Sequence, residues 1–159
     1  MTKSLIERLI WRGENLTREQ KALLLSNIMP ILKEGGFKKV GLYANGDKRQ
    51  HNSVLFERSD GASHYYINVV YEKYYNPRFS IDLTEKRFEA DPPLYQVVNL
   101  VKTRKQLYHW WGARPWSINR DKAWIRGVRQ AANALPQLID FIDNDIVGPN
   151  ISDHRFKRG

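Results

Sequence analysis

Histidines are the first candidates for chemistry in this 159-residue chain, which contains four of them and no cysteine. The four, His51, His64, His109 and His154, are scattered, and no two stand two or four residues apart. Zinc sites usually draw on closely spaced His and Cys ligands, and thiolate chemistry needs a cysteine. The sequence therefore predicts neither a metal site nor a bound cofactor.

Candidate catalytic groups are few. Residues 59–64, SDGASH, contain the residue types of a nucleophilic triad, but they have the composition of a hairpin turn, and no GxSxG elbow occurs in the chain. Glycine-rich phosphate loops of the GxGxxG or GxxxxGK[ST] type are also missing from the sequence. An enzyme would need Glu57, Glu72 or Asp82 to meet a histidine across neighbouring strands. We assign no catalytic residue, and an uncharacterised hydrolase or nuclease is the third functional alternative.

Basic side chains are concentrated in one segment. The protein has 26 Lys and Arg against 17 Asp and Glu, a net charge of +9. Residues 101–130 alone hold eight basic residues and a single acidic one, Asp121, a net of +7. Such a field attracts phosphates, an acidic protein or an anionic membrane surface. A solvated face that only keeps the protein soluble would give the same pattern.

Tryptophan and arginine are interleaved in the same segment. Both are enriched at binding surfaces, and an indole ring beside a guanidinium also makes a platform for an unpaired base. Trp124 falls on an apolar helical stripe, so we expect it in the core. The predicted binding residues are Lys102, Arg104, Lys105, Trp110, Trp111, Arg114, Trp116, Arg120, Lys122, Arg126 and Arg129.

A helix and a run of strands precede this segment. Thr17 and Gln20 form a capping-box pattern that predicts the start of a helix, and a glycine pair ends it. Alternation of apolar and polar residues then predicts strands over residues 37–43, 52–58, 63–72 and 78–84. Residues 94–101 fit either a fifth strand or the start of a helix. If the third and fourth strands pair as a hairpin, Asn68 lies opposite Asp82.

A second helical region follows the aromatic segment. Asn119 provides an N-cap, and apolar residues recur at steps of four and three over residues 124–142. Lys122, Arg126 and Arg129 fall on the opposite side of this stripe. A proline within the region allows for two helices. The order of elements predicts an α+β fold, with an antiparallel sheet of about four to five strands flanked by N-terminal and C-terminal helices.

The length predicts a single domain, since domains usually have about 100–200 residues. We assign residues 1–150 to one α+β domain and residues 151–159 to a basic C-terminal tail. The apolar stretches are far shorter than the eighteen or so residues that a membrane-spanning helix needs. The lack of a signal pattern and of cysteine fits a cytoplasmic protein.

A family resemblance starts at residues 31–43, ILKEGGFKKVGLY, which close a helix, turn through glycines and open a sheet. Together with the strands around VLFERSDGASHYYINVVY, this part of the chain, residues 17–85, resembles a family of small bacterial α+β proteins of unassigned function. Some of its relatives look like immunity proteins encoded beside secreted toxins. The resemblance implies a non-enzymatic binding domain and carries over no functional residue. The tryptophan-rich segment departs from the family's pattern.

The leading prediction is a non-catalytic binding protein, an inhibitor or immunity-type protein for an acidic protein partner. The alternative is a nucleic-acid-binding domain in which Trp111 or Trp116 stacks on a base. Its phosphate contacts would come from Lys102, Arg104, Lys105, Lys122, Arg126 and Arg129. Both hypotheses require the cations of residues 101–130 and at least one indole ring to reach solvent together.

Overall fold

The computed structural model describes residues 16–41, 53–71, 77–87, 95–103, 109–114 and 116–154. Their elements are, in chain order, α1 Arg18–Glu34, β1 Lys38–Gly41, β2 Ser53–Asp60, β3 Ser63–Tyr71, β4 Arg78–Arg87, β5 Tyr95–Leu100, β6 Trp111–Gly112, α2 Arg120–Ala134, α3 Pro136–Asn144 and β7 Ile151–Asp153. This arrangement confirms the predicted α+β class. The sheet has seven strands in the described ranges where we expected four to five, because β6 and β7 are too short to show alternation.

The strands form one antiparallel sheet in the order β1-β2-β3-β4-β5-β7. The short strand β6 pairs with the start of β4, on the edge where β5 pairs further along. Asn68 lies opposite Asp82 in the β3–β4 ladder, which confirms the predicted hairpin register. Residues 95–100, which fitted a strand or a helix, form the strand β5.

The two faces of the sheet differ in polarity. One face is apolar and packs against α1 and the C-terminal helices, and its buried residues include Phe56, Ile67, Ile81, Leu83 and Leu100. Side chains alternate between faces along a strand, so their neighbours point to the opposite side. That side carries the polar residues Asn68, Ser80, Asp82, Asn99 and Ser152.

The helix boundaries follow the capping signals. Thr17 Oγ1 accepts a hydrogen bond from the Gln20 amide at 3.1 Å, and Gln20 Oε1 accepts one from the Thr17 amide at 2.9 Å, so the predicted capping box is present. The second helical region divides into two helices at Leu135, and Pro136 is the first residue of α3. Proline is favoured there because its missing N–H would have no partner in the first turn.

The predicted start of the C-terminal tail at residue 151 is wrong, because the sheet includes the first residues assigned to the tail. Residues 151–153 form β7, whose partner is β5, and Ile151 is completely buried opposite Leu100. A single isoleucine in a polar segment gives no periodic signal, yet its burial supplies a reason for the strand to dock. Residues 155–159 lie outside the described ranges.

Candidate functional site

The helix α2 places three of the predicted binding cations in solvent. Asn119 Oδ1 accepts a hydrogen bond from the Lys122 amide at 3.0 Å, which caps the helix as predicted. Lys122, Arg126 and Arg129 are exposed, whereas Trp124 and Val128 of the apolar stripe are buried. The three cations therefore share the side of α2 that faces away from the core.

The tryptophans of the basic segment have different environments. Trp111, a predicted binding and base-stacking residue, is only 2% exposed, and its Nε1 donates a hydrogen bond to the Leu100 carbonyl at 3.2 Å. Its burial leaves no ring face for a base, so stacking by Trp111 was a wrong expectation. Trp124 is buried, as expected, and meets Phe79 edge-on. Trp116 is 71% exposed, so one indole ring does reach solvent.

Apolar side chains accompany these cations at the start of α2. Ile118 is fully exposed, and Ile125, one turn into the helix, is also exposed. Ile118 directly precedes the N-cap of α2, and Lys122 and Ile125 are three residues apart within the helix, so these two are neighbours on its surface. We call this surface the α2 outer face and define it by the exposed residues Trp116, Ile118, Lys122, Ile125, Arg126 and Arg129.

Two arginines outside α2 make cation–π contacts with predicted tryptophans. The Arg114 guanidinium lies 5.4 Å from the centre of the Trp116 ring. The half-buried Trp110 has the Arg78 guanidinium 4.6 Å from its ring centre. Contacts of this kind hold flexible arginines against aromatic faces.

The charges of two other predicted cations, distant in sequence, act on Lys102. Burial lowers the pKa of the half-buried Lys102 ammonium, and the charges of Arg114 and Arg126 lower it further. The Lys102 Nζ also lies 6.0 Å from the centre of the Trp111 ring. Among the described residues, no carboxylate contributes to the pKa of Lys102. We call Lys102, Arg114 and Arg126 the Lys102 cluster.

A cavity of about 320 Å³ lies beside Lys102, between the end of β5, the strand β6 and the helices α2 and α3. Its lining is mostly polar and consists of Lys102, Trp111, Gln130, Asn133, Ala134, Gln137 and Asn150. None of the four carboxamide residues was predicted, because isolated Asn and Gln residues form no recognisable motif.

Asn150 fixes the backbone on which Lys102 stands. Its Nδ2 donates to the carbonyls of Val101 and Lys102, both at 2.9 Å. Its Oδ1 accepts from Gln137 Nε2 at 2.8 Å, and its amide donates to Gln137 Oε1 at 2.9 Å. These bonds join three chain segments and hold the Lys102 side of the cavity in place.

The polar face of the sheet holds a second charged group, Asp82. Burial raises its pKa, while His109, a hydrogen bond from Ser80 and His154 act in the opposite direction. His154 Nε2 lies 3.1 Å from Asn99 Nδ2. Asp82, one of the three carboxylates that an enzyme would need beside a histidine, is thus acted on by two histidines. Glu72, another of the three, falls outside the described ranges.

The segment at residues 59–64 lacks the geometry of a catalytic triad. Ser59 Oγ contacts His64 Nε2 across the β2–β3 turn, and Glu57 Oε2 approaches the same nitrogen at 4.0 Å. In a triad the acid binds the other imidazole nitrogen, so that the ring can take the hydroxyl proton. This arrangement therefore gives no support to acyl transfer.

The remaining predictions have simpler outcomes. Arg120 is half-buried at the start of α2, while Arg104 and Lys105 lie outside the described ranges. In the part of the chain that the structure describes, no three His, Cys, Asp or Glu residues are grouped so that they could hold a metal ion. No helix in that part combines the length and apolar character that crossing a membrane requires.

Comparisons with known protein families, with curated proteins and with solved structures found no match for this chain. The α+β class is therefore defined by the sheet topology and helix positions given above. The resemblance of residues 17–85 to a bacterial family with immunity-type relatives stays a prediction.

Proposed function

We propose that this is a non-catalytic binding protein that docks an acidic protein partner on the α2 outer face. One observation carries the proposal: Trp116 and Ile118 are exposed at the start of a helix whose solvent side presents Lys122, Arg126 and Arg129. Large apolar side chains stabilise an interface by about 1.5–3 kcal/mol each when a partner buries them fully. An inhibitor or immunity-type role is the form of this function that we favour.

The charge pattern supports an acidic partner. Lys122 and Arg129 are seven residues apart, so about 10 Å of helix carries three positive charges on one side. A surface with carboxylates at similar spacing would be steered toward this face and oriented on it. A ring of charges around apolar anchors is also the usual anatomy of a protein interface.

The isoleucines favour protein over nucleic acid. Ile118 and Ile125 can pack against apolar groups of a partner protein, but neither can hydrogen-bond a base edge or neutralise a phosphate. Trp116 with the guanidinium of Arg114 suits either ligand, because it can insert into an apolar pocket or stack on a base. Nucleic acid is therefore the second candidate.

A crosslinking experiment tests the leading proposal. A benzophenone amino acid replaces Ile118 in one variant and the exposed Asp140 of α3 in a control, and each is irradiated in extract of the native host at low salt. We expect a protease-sensitive, nuclease-resistant adduct at position 118 and none at position 140. Replacing Lys122, Arg126 and Arg129 by Glu should reduce the yield of the adduct at position 118 at least fivefold. No adduct at position 118, or equal yields at the two positions, would contradict docking on this face.

A titration separates the two candidates. Fluorescence anisotropy with labelled single- and double-stranded oligonucleotides is measured at about 50 and 200 mM salt, where phosphate contacts give a steep loss of affinity. We expect no binding at the lower salt concentration. Oligonucleotide binding that weakens steeply with salt and is lost in the Trp116→Ala variant would favour nucleic acid over an acidic protein as the ligand.

A further inference from the structure

A groove of about 580 Å³ lies between α1 and the start of the sheet at β1 and β2. Its apolar lining consists of Leu25, Met29, Pro30, Phe37 and Phe56. Small-molecule sites usually have volumes of about 300–1,000 Å³ and are mostly apolar with a few polar groups. The groove therefore has the size and the lining of a ligand site.

Helical spacing gives α1 an apolar wall that ends in a cation. Leu25, Met29 and Lys33 are four residues apart, so they lie one above another on the same side of the helix. Leu25 is half-buried, whereas Met29 and Lys33 are exposed. The wall thus opens to solvent toward the C-terminal end of α1, where Lys33 adds a positive charge.

The strand β1 supplies a second cation on the groove side. Lys39 lies directly opposite Phe56 in the β1–β2 ladder, and residues paired in this way share one face of a sheet. Phe56 is buried on the apolar face, so Lys39 stands on the face that lines the groove. Lys38 also borders the groove, but it lies opposite Glu57, on the other face.

Carboxylates do not compensate these two lysines within the described chain. None of the described residues that line the groove is acidic, and the salt bridges of the described residues involve Arg58 and His64. The hydroxyl of the groove residue Ser26 already donates to the Leu23 carbonyl at 2.9 Å. The groove therefore offers a ligand an apolar surface and positive charge at its open side.

Lysines also have structural uses at such places. A lysine in the last turn of a helix interacts favourably with the helix dipole, and a lysine on an edge strand discourages pairing with other chains. Neither use requires Lys33 and Lys39 to border the same apolar groove. Their common position is explained by a ligand that has an apolar part and a negative charge.

We propose that this groove binds a straight-chain aliphatic carboxylate, that is, a free fatty acid of medium length. The acyl chain packs along Leu25, Met29 and Phe56, and the carboxylate interacts with the ammonium groups of Lys39 and Lys33. An acyl chain has no hydrogen-bonding group to desolvate, so the apolar lining suits it. A lysine ammonium is a point charge with rotatable donors, which suits a single carboxylate at the end of a flexible chain.

The groove goes beyond the proposed docking function, because it shares no residue with the α2 outer face. A protein changed at Lys39 or Met29 retains Trp116, Ile118 and the cations of α2, so its crosslink at position 118 should persist. Loss of fatty-acid binding with a persistent crosslink would remove the groove proposal alone. The converse result would remove docking alone.

Isothermal titration calorimetry on the intact chain, with ligands below their micelle concentrations, tests the proposal. The probe is decanoate. Butyrate has the same head group on a short chain, and decylammonium has the same chain with the opposite charge. We expect saturable binding of decanoate, with both controls at least tenfold weaker. Failure of decanoate to bind, or equal binding of either control, would overturn the proposal.

Matched variants locate the binding. Lys39→Gln should weaken decanoate binding at least fivefold, whereas Lys38→Gln, which removes the same charge from the other face of β1, should change it less than twofold. Met29→Glu places a carboxylate in the apolar wall and should weaken binding at least tenfold. Its control, Ile146→Glu, adds the same charge at an exposed apolar residue outside the groove and should have less than a twofold effect. Equal losses within either pair would mean that decanoate binds elsewhere.

Vesicles separate a free fatty acid from a membrane surface as the occupant. Co-sedimentation is measured with vesicles of phosphatidylcholine alone and with added phosphatidylglycerol. We expect Lys39→Gln and Lys38→Gln to co-sediment to the same extent, because attraction to an anionic bilayer depends on basic charges near the surface in general. Co-sedimentation that only Lys39→Gln abolishes would make a lipid surface the occupant and overturn the proposal of a free acid.

Discussion

Lys102 and Asp82 are both charged side chains that the fold has partly removed from water, but their surroundings differ. Asp82 lies on the polar face of the sheet near His109 and His154, and Ser80 donates a hydrogen bond to it. Lys102 lies at the edge of a cavity, and the charges that act on it are those of Arg114 and Arg126. The first charge thus has opposing groups within the chain, and the second has only like charges among the described groups that act on it.

This difference concerns how each desolvated charge is compensated within the chain. A desolvated group whose opposite partner is built into the fold costs some stability but needs nothing further. A desolvated group among like charges gains most when an outside ion arrives. Among the described groups that act on them, Lys102 is therefore the less compensated of the two charges.

Gly127→Ala should have the largest effect, because it separates the elements that hold the Lys102 cluster together. An added Cβ would lie 2.6 Å from the Gly112 Cα, so α2 would have to move away from β6. We expect a loss of about 3 kcal/mol in the free energy of unfolding, measured by chemical denaturation. The exposed Asn133→Ala on the same helix should change it by less than about 0.5 kcal/mol. Equal stability of the two variants would show that α2 does not depend on this close approach.

Asn150→Ala should have the next largest effect. The change leaves the carbonyls of Val101 and Lys102 without the Nδ2 donor and removes the acceptor of Gln137. Unsatisfied buried polar groups make this a loss of about 2 kcal/mol. Asn144→Ala, at the exposed end of α3, is the control and should be close to neutral. Equal stability of the two variants in thermal and chemical denaturation would show that Asn150 does not fix the Lys102 backbone.

Much of the fold could be predicted from local signals, but the spatial grouping of charges could not. Helix caps at Thr17 and Asn119 and the alternation in β3 and β4 depend on residues near one another in sequence, and the structure has them as predicted. The burial of Trp111 depends on the distant carbonyl of Leu100 and on β4, so composition alone gave a wrong expectation.

The candidate site shows the same limit. Exposure of Lys122, Arg126 and Arg129 follows from helical periodicity and was predicted. The effect of the Arg126 charge on Lys102 depends on tertiary structure, and the cavity depends on carboxamides that have no spacing pattern. Tertiary packing, which pattern analysis does not contain, determines both.

Asp82→Asn tests the Asp82 side of the comparison, and its expected effect on the free energy of unfolding is smaller than that of Asn150→Ala. Folding raises the pKa of Asp82, so the native state binds a proton more readily than the unfolded state, and wild-type stability relative to the variant rises as the pH falls. We expect the variant to be more stable by about 1 kcal/mol at pH 8, where the wild type holds a desolvated charge. The gap should narrow in urea denaturation as the pH falls toward 3.8, the ordinary pKa of the carboxyl group. A variant less stable than wild type at pH 8 would mean that Asp82 is favourably paired as an anion.

Lys102→Gln should give the smallest change, with the opposite pH dependence. Folding lowers the pKa of Lys102, so the unfolded state binds the proton of this side chain more readily than the native state does. The stability of the wild type relative to the variant therefore rises as the pH increases from 7 toward 10. At pH 7 the variant should be more stable by about 0.5 kcal/mol, as for a half-exposed charge. A variant that is less stable than wild type without any anion would place a compensating charge near Lys102 and remove the contrast with Asp82.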